Sequence, residues 1–133
     1  MANVKLGTKA VGSIVKIKVN GASKDFIVVQ QGNPNTSTYD SSCNGTWLLM
    51  KDIYTTSTFG SNNYYKDSSI HTYLNGTFYN LIDSNIRAAI KQVKIPYQNG
   101  TGSGGSLATG SNGLSTKVFL LSGYEVGWTT SDN

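Results

Sequence analysis

Between Ser13 and Gln31 the chain has little choice of structure. Val15, Ile17 and Val19 alternate with Lys16 and Lys18, the period of two that puts every second side chain on one face of a strand. Asn20-Gly21 follows, and then Lys24–Gln31 carries the β-forming run Phe26-Ile27-Val28-Val29. Asn-Gly readily takes the left-handed backbone that a two-residue hairpin turn needs at both of its positions. The sequence therefore predicts an antiparallel hairpin over 13–31, with Lys16 and Lys18 on its wet face.

The rest of the chain must complete that half-wet sheet. Trp47-Leu48-Leu49-Met50 and Ile53, bounded by polar loops, predict a buried strand over 46–54. Helical spacing occurs in one region only, 67–95. There Asp67 or Ser68 can cap a first segment with Ile70, Tyr73 and Leu74 on its apolar stripe. Asn75-Gly76 reads as the left-handed stop of that segment. Phe78, Leu81 and Ile82 suit a second turn. Asp83-Ser84 starts a third segment, with Ile86, Ala89, Ile90 and Val93 at helical spacing and Pro96 ending it. Residues 98–116 hold six glycines among nineteen positions and predict a flexible loop. Lys117-Val118-Phe119-Leu120-Leu121 predicts a last buried strand over 117–122. Together these elements predict an α+β fold of antiparallel hairpins with a broken helical segment, in one domain or the N-terminal part of one.

Composition removes several alternatives. Charged residues are 14% of the 133, against about 25% in ordinary globular domains. Glu125 is the only Glu, which excludes a coiled coil and a charged helical bundle. The net charge of +4 rests on ten Lys and one Arg, Arg87. That is too thin, and too poor in the guanidinium forks that read phosphates and bases, for a nucleic-acid partner. No run approaches the ~18 apolar residues of a membrane helix, and Met1-Ala2-Asn3-Val4-Lys5-Leu6-Gly7 has no apolar signal core.

Catalytic and metal chemistry have few residues to draw on. A nucleophile needs a base within hydrogen-bond reach. His71 is the only histidine and Cys43 the only cysteine, and Cys43 lies in a polar loop with no supporting motif. The acids at Asp67 and Asp83 read as helix caps, and no carboxylate pair stands out. One His and one Cys cannot build a zinc site. Asn33, Asn35, Asp40 and Asn44 line one loop, but with a single formal charge they are poor calcium ligands. The sequence thus predicts no catalytic residue, no metal and no cofactor. What remains is an unusual placement of rings: Tyr39, Phe59, Tyr64, Tyr65, Tyr97, Tyr124 and Trp128 all fall in polar stretches. Tyr among Ser, Gly and Asn is the composition of contact loops, where rigid rings supply area and small polar residues supply adaptable hydrogen bonds.

Ser69-Ile70-His71-Thr72-Tyr73-Leu74-Asn75-Gly76-Thr77-Phe78 resembles the Ser-x-Ile-x-x-Tyr/Trp-Leu-Asn-x-x-Phe helix of an uncharacterised domain family found in gut Firmicutes, their prophages and their tailed phages. Gly45–Asp52 is similar to that family's central strand. Lys117–Ser122 with Glu125-Val126-Gly127 is similar to its Val-Phe-Leu-Leu-Ser … Glu-Val-Gly strand. The resemblance runs from about Val15 to Gly127 and implies a C-type-lectin-like fold, related to formylglycine-generating enzymes and to retroelement-diversified receptor-binding proteins. Members usually continue to Trp-Trp-Leu-Arg-Ser and Gly-Val-Arg-Pro strands that this chain lacks, so the resemblance implies a fold without its C-terminal third.

The expected function is that of a phage or prophage virion protein, made in the bacterial cytoplasm and carried on the particle. Its lectin-like module would bind a host-surface polysaccharide or another virion protein, through weak contacts multiplied by copy number. The alternatives are a purely structural head or tail decoration, self-associating or completed by strand addition from a neighbour, and a bacterial cell-surface adhesin. A degenerate formylglycine-type enzyme is disfavoured by the unpaired Cys43. The contact residues expected are Trp128, Tyr124, Tyr64 and Tyr65.

Overall fold

A computed structural model describes residues 5–61, 64–99, 106–122 and 124–126. The predicted hairpin forms strands β1 (Ile14–Val19) and β2 (Ala22–Gln31). Val19 pairs with Ala22, so Asn20-Gly21 is the whole loop. Both of its residues take positive φ, 52° and 78°, which matches the turn to the right-handed twist of the strands. β3 (Thr46–Met50) adds antiparallel to β2, giving the order β1-β2-β3. A bulge between Val28 and Gln30 shifts the register opposite Trp47 and Leu48.

The strand predicted over 46–54 is shorter than expected, because Ile53 is 88% exposed. On the wet face Lys16 meets Asp25 at 2.8 Å. The other face packs on the helical region. Ile17, Val19, Phe78 and Ile82 form one buried cluster, joined by Phe26, Leu48 and Met50.

The helical region is broken before Asp83-Ser84, as the sequence suggests, but not at Asn75-Gly76. Ser68 caps α1 (Ser69–Tyr73), accepting from the His71 amide. The chain does not stop at Asn75-Gly76: Leu74–Phe78 continues as a π-helical turn, and Gly76 is not among the left-handed glycines. α2 (Tyr79–Leu81) and α3 (Ser84–Arg87) complete the region. Backbone bonds from Asn20 N–H to Leu81 and from Asp83 N–H to Lys18 stitch it to the end of β1.

The helix expected to reach Pro96 gives way to β4 (Val93–Ile95), which pairs with β7 (Leu114–Thr116). Val93 and Ile95 alternate around Lys94, and the residue before a proline is pushed from helical to extended backbone. The glycine-rich stretch expected as a loop over 98–116 is partly structured. β5 (Tyr97–Asn99) pairs with β6 (Ser106–Ala108), and β7 follows. The strand expected over 117–122 makes no ladder among the described residues. The ladder ends at Thr116, and Leu120 and Leu121 are each 46% exposed.

A second cluster of Tyr39, Cys43 and Ile95 packs with Trp47 and Phe119. Strand alternation separates the two clusters: Leu48 and Met50 face the first and Trp47 the second. Val118 and Phe119 divide in the same way. Tyr39, read from the sequence as a loop ring, is only 4% exposed and meets Trp47 edge-on. No described helix is long and apolar enough to cross a membrane.

Phe78 joins the helical region to the hairpin, so Phe78→Ala will cost about 3–5 kcal/mol. The check is urea denaturation, read as a lower midpoint at unchanged slope.

Candidate functional site

The stretch after β7 is held by side chains where a strand partner would stand. The Asn75 carboxamide oxygen accepts from the amides of Lys117 at 2.8 Å and Val118 at 3.1 Å. Its nitrogen donates to the carbonyls of Val118 at 2.8 Å and His71 at 3.1 Å. The buried Thr116 hydroxyl lies 3.1 Å from the same Asn75 oxygen and 2.9 Å from the Val118 carbonyl. Further along, Leu120 N–H donates to the Tyr65 hydroxyl at 3.1 Å. Ser122 N–H donates to Glu125 Oε2 at 2.7 Å, and the other oxygen of Glu125 accepts from the Tyr39 hydroxyl, also at 2.7 Å. Three side chains, Asn75, Tyr65 and Glu125, thus satisfy four amides of residues 117–122.

This arrangement leaves Leu120 and Leu121 turned to solvent beside a groove of about 250 Å³. Three stretches line it: Phe59 with Tyr65, Ile95 to Gln98, and Leu120 to Ser122. Phe59 is fixed by its carbonyl, which accepts from Ser69 N–H at 2.7 Å. Gly60 makes this approach feasible. Its φ is 128°, and a Cβ there would meet Ser69 N at 3.2 Å, a conformation and a space that favour glycine. Tyr65 leans on His71 edge-on with centroids 5.2 Å apart, and on Phe59 at 6.5 Å. Burial pushes the Tyr65 phenol up, the Leu120 amide opposes this, and the Glu125 charge adds to it. The ring is therefore a neutral wall of the groove at physiological pH.

Of the expected contact residues, Tyr65 lines the groove. Tyr64 is half-buried and stands outside the lining. Tyr124 begins the turn Tyr124–Val126, but its side chain lies outside the described residues, as does Trp128. Sequence reasoning noted Phe59 and Tyr97 only as loop rings and missed Pro96, Leu120 and Leu121. The sequence held no signal for this, since the adjacent pair Val118-Phe119 has the same pattern and packs into the two clusters.

The residues weighed for catalysis and metal binding serve other ends. Cys43 is buried, its thiol donates to the Lys94 carbonyl at 3.2 Å, and burial pushes its pKa up, which makes a poor nucleophile. Its neighbours are the second cluster, whereas His71 contacts Tyr65 and Asn75. In the polar loop, Asn33 binds the Tyr39 and Asp40 carbonyls, and Asn35 holds Ser37. The Ser42 hydroxyl and amide hold the Asp40 carboxyl below its ordinary range. Among the described residues, no group of three or more His, Cys, Asp or Glu could hold a metal ion.

The sequence profile of a family described as a domain of unknown function, DUF6273, matches residues 44–133. The chain belongs to this family. The DUF6273 span includes both the helix around Asn75 and the stretch that Asn75 holds, so the clamp lies wholly inside it. It begins after β2, and the β1-β2 hairpin precedes it although β2 pairs with the first DUF6273 strand, β3. No curated protein and no solved structure matches the chain.

Two outcomes follow from this geometry. Asn75→Asp keeps the shape but sets a second carboxylate oxygen against the carbonyls of His71 and Val118, and will cost at least about 2 kcal/mol in urea unfolding at neutral pH. The Cys43 thiol will stay unreactive to Ellman's reagent in the folded protein and react fully once urea unfolds it, as followed by absorbance.

Proposed function

We propose that this chain is a binding module, not a catalyst, and that its groove takes an apolar segment of a neighbouring protein on a phage or prophage particle. The observation that carries the reading is the lining. Phe59, Leu120 and Leu121 remain 43%, 46% and 46% exposed around a groove that, among the described residues, no charged side chain lines. Exposed apolar residues gathered in a concave site, rimmed by polar ones, mark interaction surfaces. A polyhydroxylated sugar needs several hydrogen-bonding side chains beside a ring. Here, among the described residues, Gln98 and Ser122 are the polar lining beyond the tyrosines, and Ser122 Oγ already faces the Glu125 amide at 3.3 Å. An aromatic or aliphatic peptide segment matches the chemistry better than a host polysaccharide.

The virion setting is supported by the Leu-Asn helix and the Val-Phe-Leu-Leu-Ser stretch, which resemble those of a phage and Firmicutes family. The α+β arrangement of antiparallel sheets and short helices accords with reading the module as C-type-lectin-like. Many identical copies on a particle would turn weak single contacts into firm attachment.

A random 12-residue peptide display library and a glycan array, probed in parallel with the purified chain, test the reading. Peptides rich in Leu, Phe and Trp are expected to be retained. Tyr97→Ser and Leu121→Ser should each weaken them about tenfold or more. Retention of glycans with no peptide, or peptide binding indifferent to both substitutions, overturns it.

A further inference from the structure

His71 touches both of the side chains that hold the Leu120-Leu121 wall. Its Nδ1 lies 3.4 Å from the side-chain nitrogen of Asn75, and its ring rests on Tyr65. Asn75 holds Lys117 and Val118, and Tyr65 holds Leu120. The orientation of the Asn75 amide is not free. Its oxygen must face two backbone N–H groups, so its nitrogen must face the Val118 carbonyl and His71. A neutral imidazole can present a lone pair at Nδ1 to that nitrogen. An imidazolium carries hydrogens on both ring nitrogens and sets donor against donor. Flipping the amide offers no escape, because its NH₂ would then oppose the Lys117 and Val118 amides.

We propose that protonation of His71 loosens residues 116–122 and switches the groove, which holds its ligand at neutral pH and releases it in mild acid. This rests on the groove being the binding surface. Among the described residues the groups facing His71 are few. Asp67, on the turn before α1, is the nearby negative charge and favours the imidazolium. Tyr65 approaches from the same turn, and Asn75 from the π-helical turn. The Lys117 ammonium turns elsewhere, 3.2 Å from the Tyr79 hydroxyl and 4.7 Å from its ring centre.

Burial outweighs Asp67 and lowers the His71 pKa below its ordinary value of 6.5. The unfolded chain therefore takes up the proton at a higher pH than the folded chain does. Stability is lost as pH falls through 6.5 towards the folded value, below which the loss levels off.

Amide hydrogen exchange by NMR tests the switch without any ligand. After correction for the intrinsic pH dependence of exchange, protection of Lys117, Val118 and Leu120 should fall about tenfold or more between about pH 7 and about pH 5. The β1-β2 ladder amides should hold theirs, and His71→Gln should abolish the difference. As a check that needs no variant, the His71 ring shifts and the Val118 amide shift should titrate with one midpoint. Unchanged protection, an equal fall in His71→Gln, or separate midpoints overturn the switch. Peptide binding is read separately: loss of protection in acid by a chain that retains no peptide keeps the switch and sinks the binding reading, and the converse does the reverse.

Discussion

A carboxamide has the same donor and acceptor as a peptide group, and Asn75 uses that equivalence to stand in for a strand. Its oxygen meets the amides of Lys117 and Val118 and its nitrogen the Val118 carbonyl, as a neighbouring backbone would. Leaving such half-buried groups unpaired would cost up to about 1–3 kcal/mol each. One side chain therefore ends the β4-β7 ladder without leaving its continuation unsatisfied. The π-helical turn belongs to the same solution. Leu74 and Phe78 still pack on the hairpin while Asn75, between them, reaches the late stretch. Its nitrogen also takes up the His71 carbonyl in the widened turn, where normal helical pairing is disturbed.

The stretch so held separates two hydrophobic clusters. Val118 completes the one under the hairpin and Phe119 the one around Trp47, with a ring separation of 5.4 Å from the indole. Two residues later the alternation fails to bury anything, because among the described residues no third layer covers Leu120 and Leu121. The groove is a direct result: it lies where a buried stretch runs past the edge of its own core. The Tyr65 hydroxyl and the Glu125 carboxylate then fix that exposed portion, so its apolar side chains are presented on held backbone.

What could be read from the sequence was whatever local periodicity decides. The hairpin was legible because alternation and Asn20-Gly21 agree. Residues 93–95 were misread because Ile86, Ile90 and Val93 also fit a helix, and the alternation around Lys94 that wins depends on a distant partner, Leu114–Thr116. Asn75-Gly76 carries a stop signal in isolation, and only the distant Thr116–Val118 explains why the helix continues. The site divides in the same way. Tyr65 was legible as a ring in a polar loop. Tyr39, in a similar setting, went into the core because Trp47 and Glu125 claim it. Leu120 and Leu121 looked like core because hydrophobicity does not reveal whether anything lies above a residue.

The β1-β2 hairpin lies before the DUF6273 span yet supplies the only ladder partner that β3 has among the described residues. It also caps the helical region through Lys18 and Asn20. A polypeptide beginning at Asn44 would show a naked pleated margin, with Leu48 and Met50 stripped of their cover, and would invite intermolecular cross-β association. Relatives that share the span must therefore carry an equivalent pair of strands, borrow one from another subunit, or shield that margin by different means.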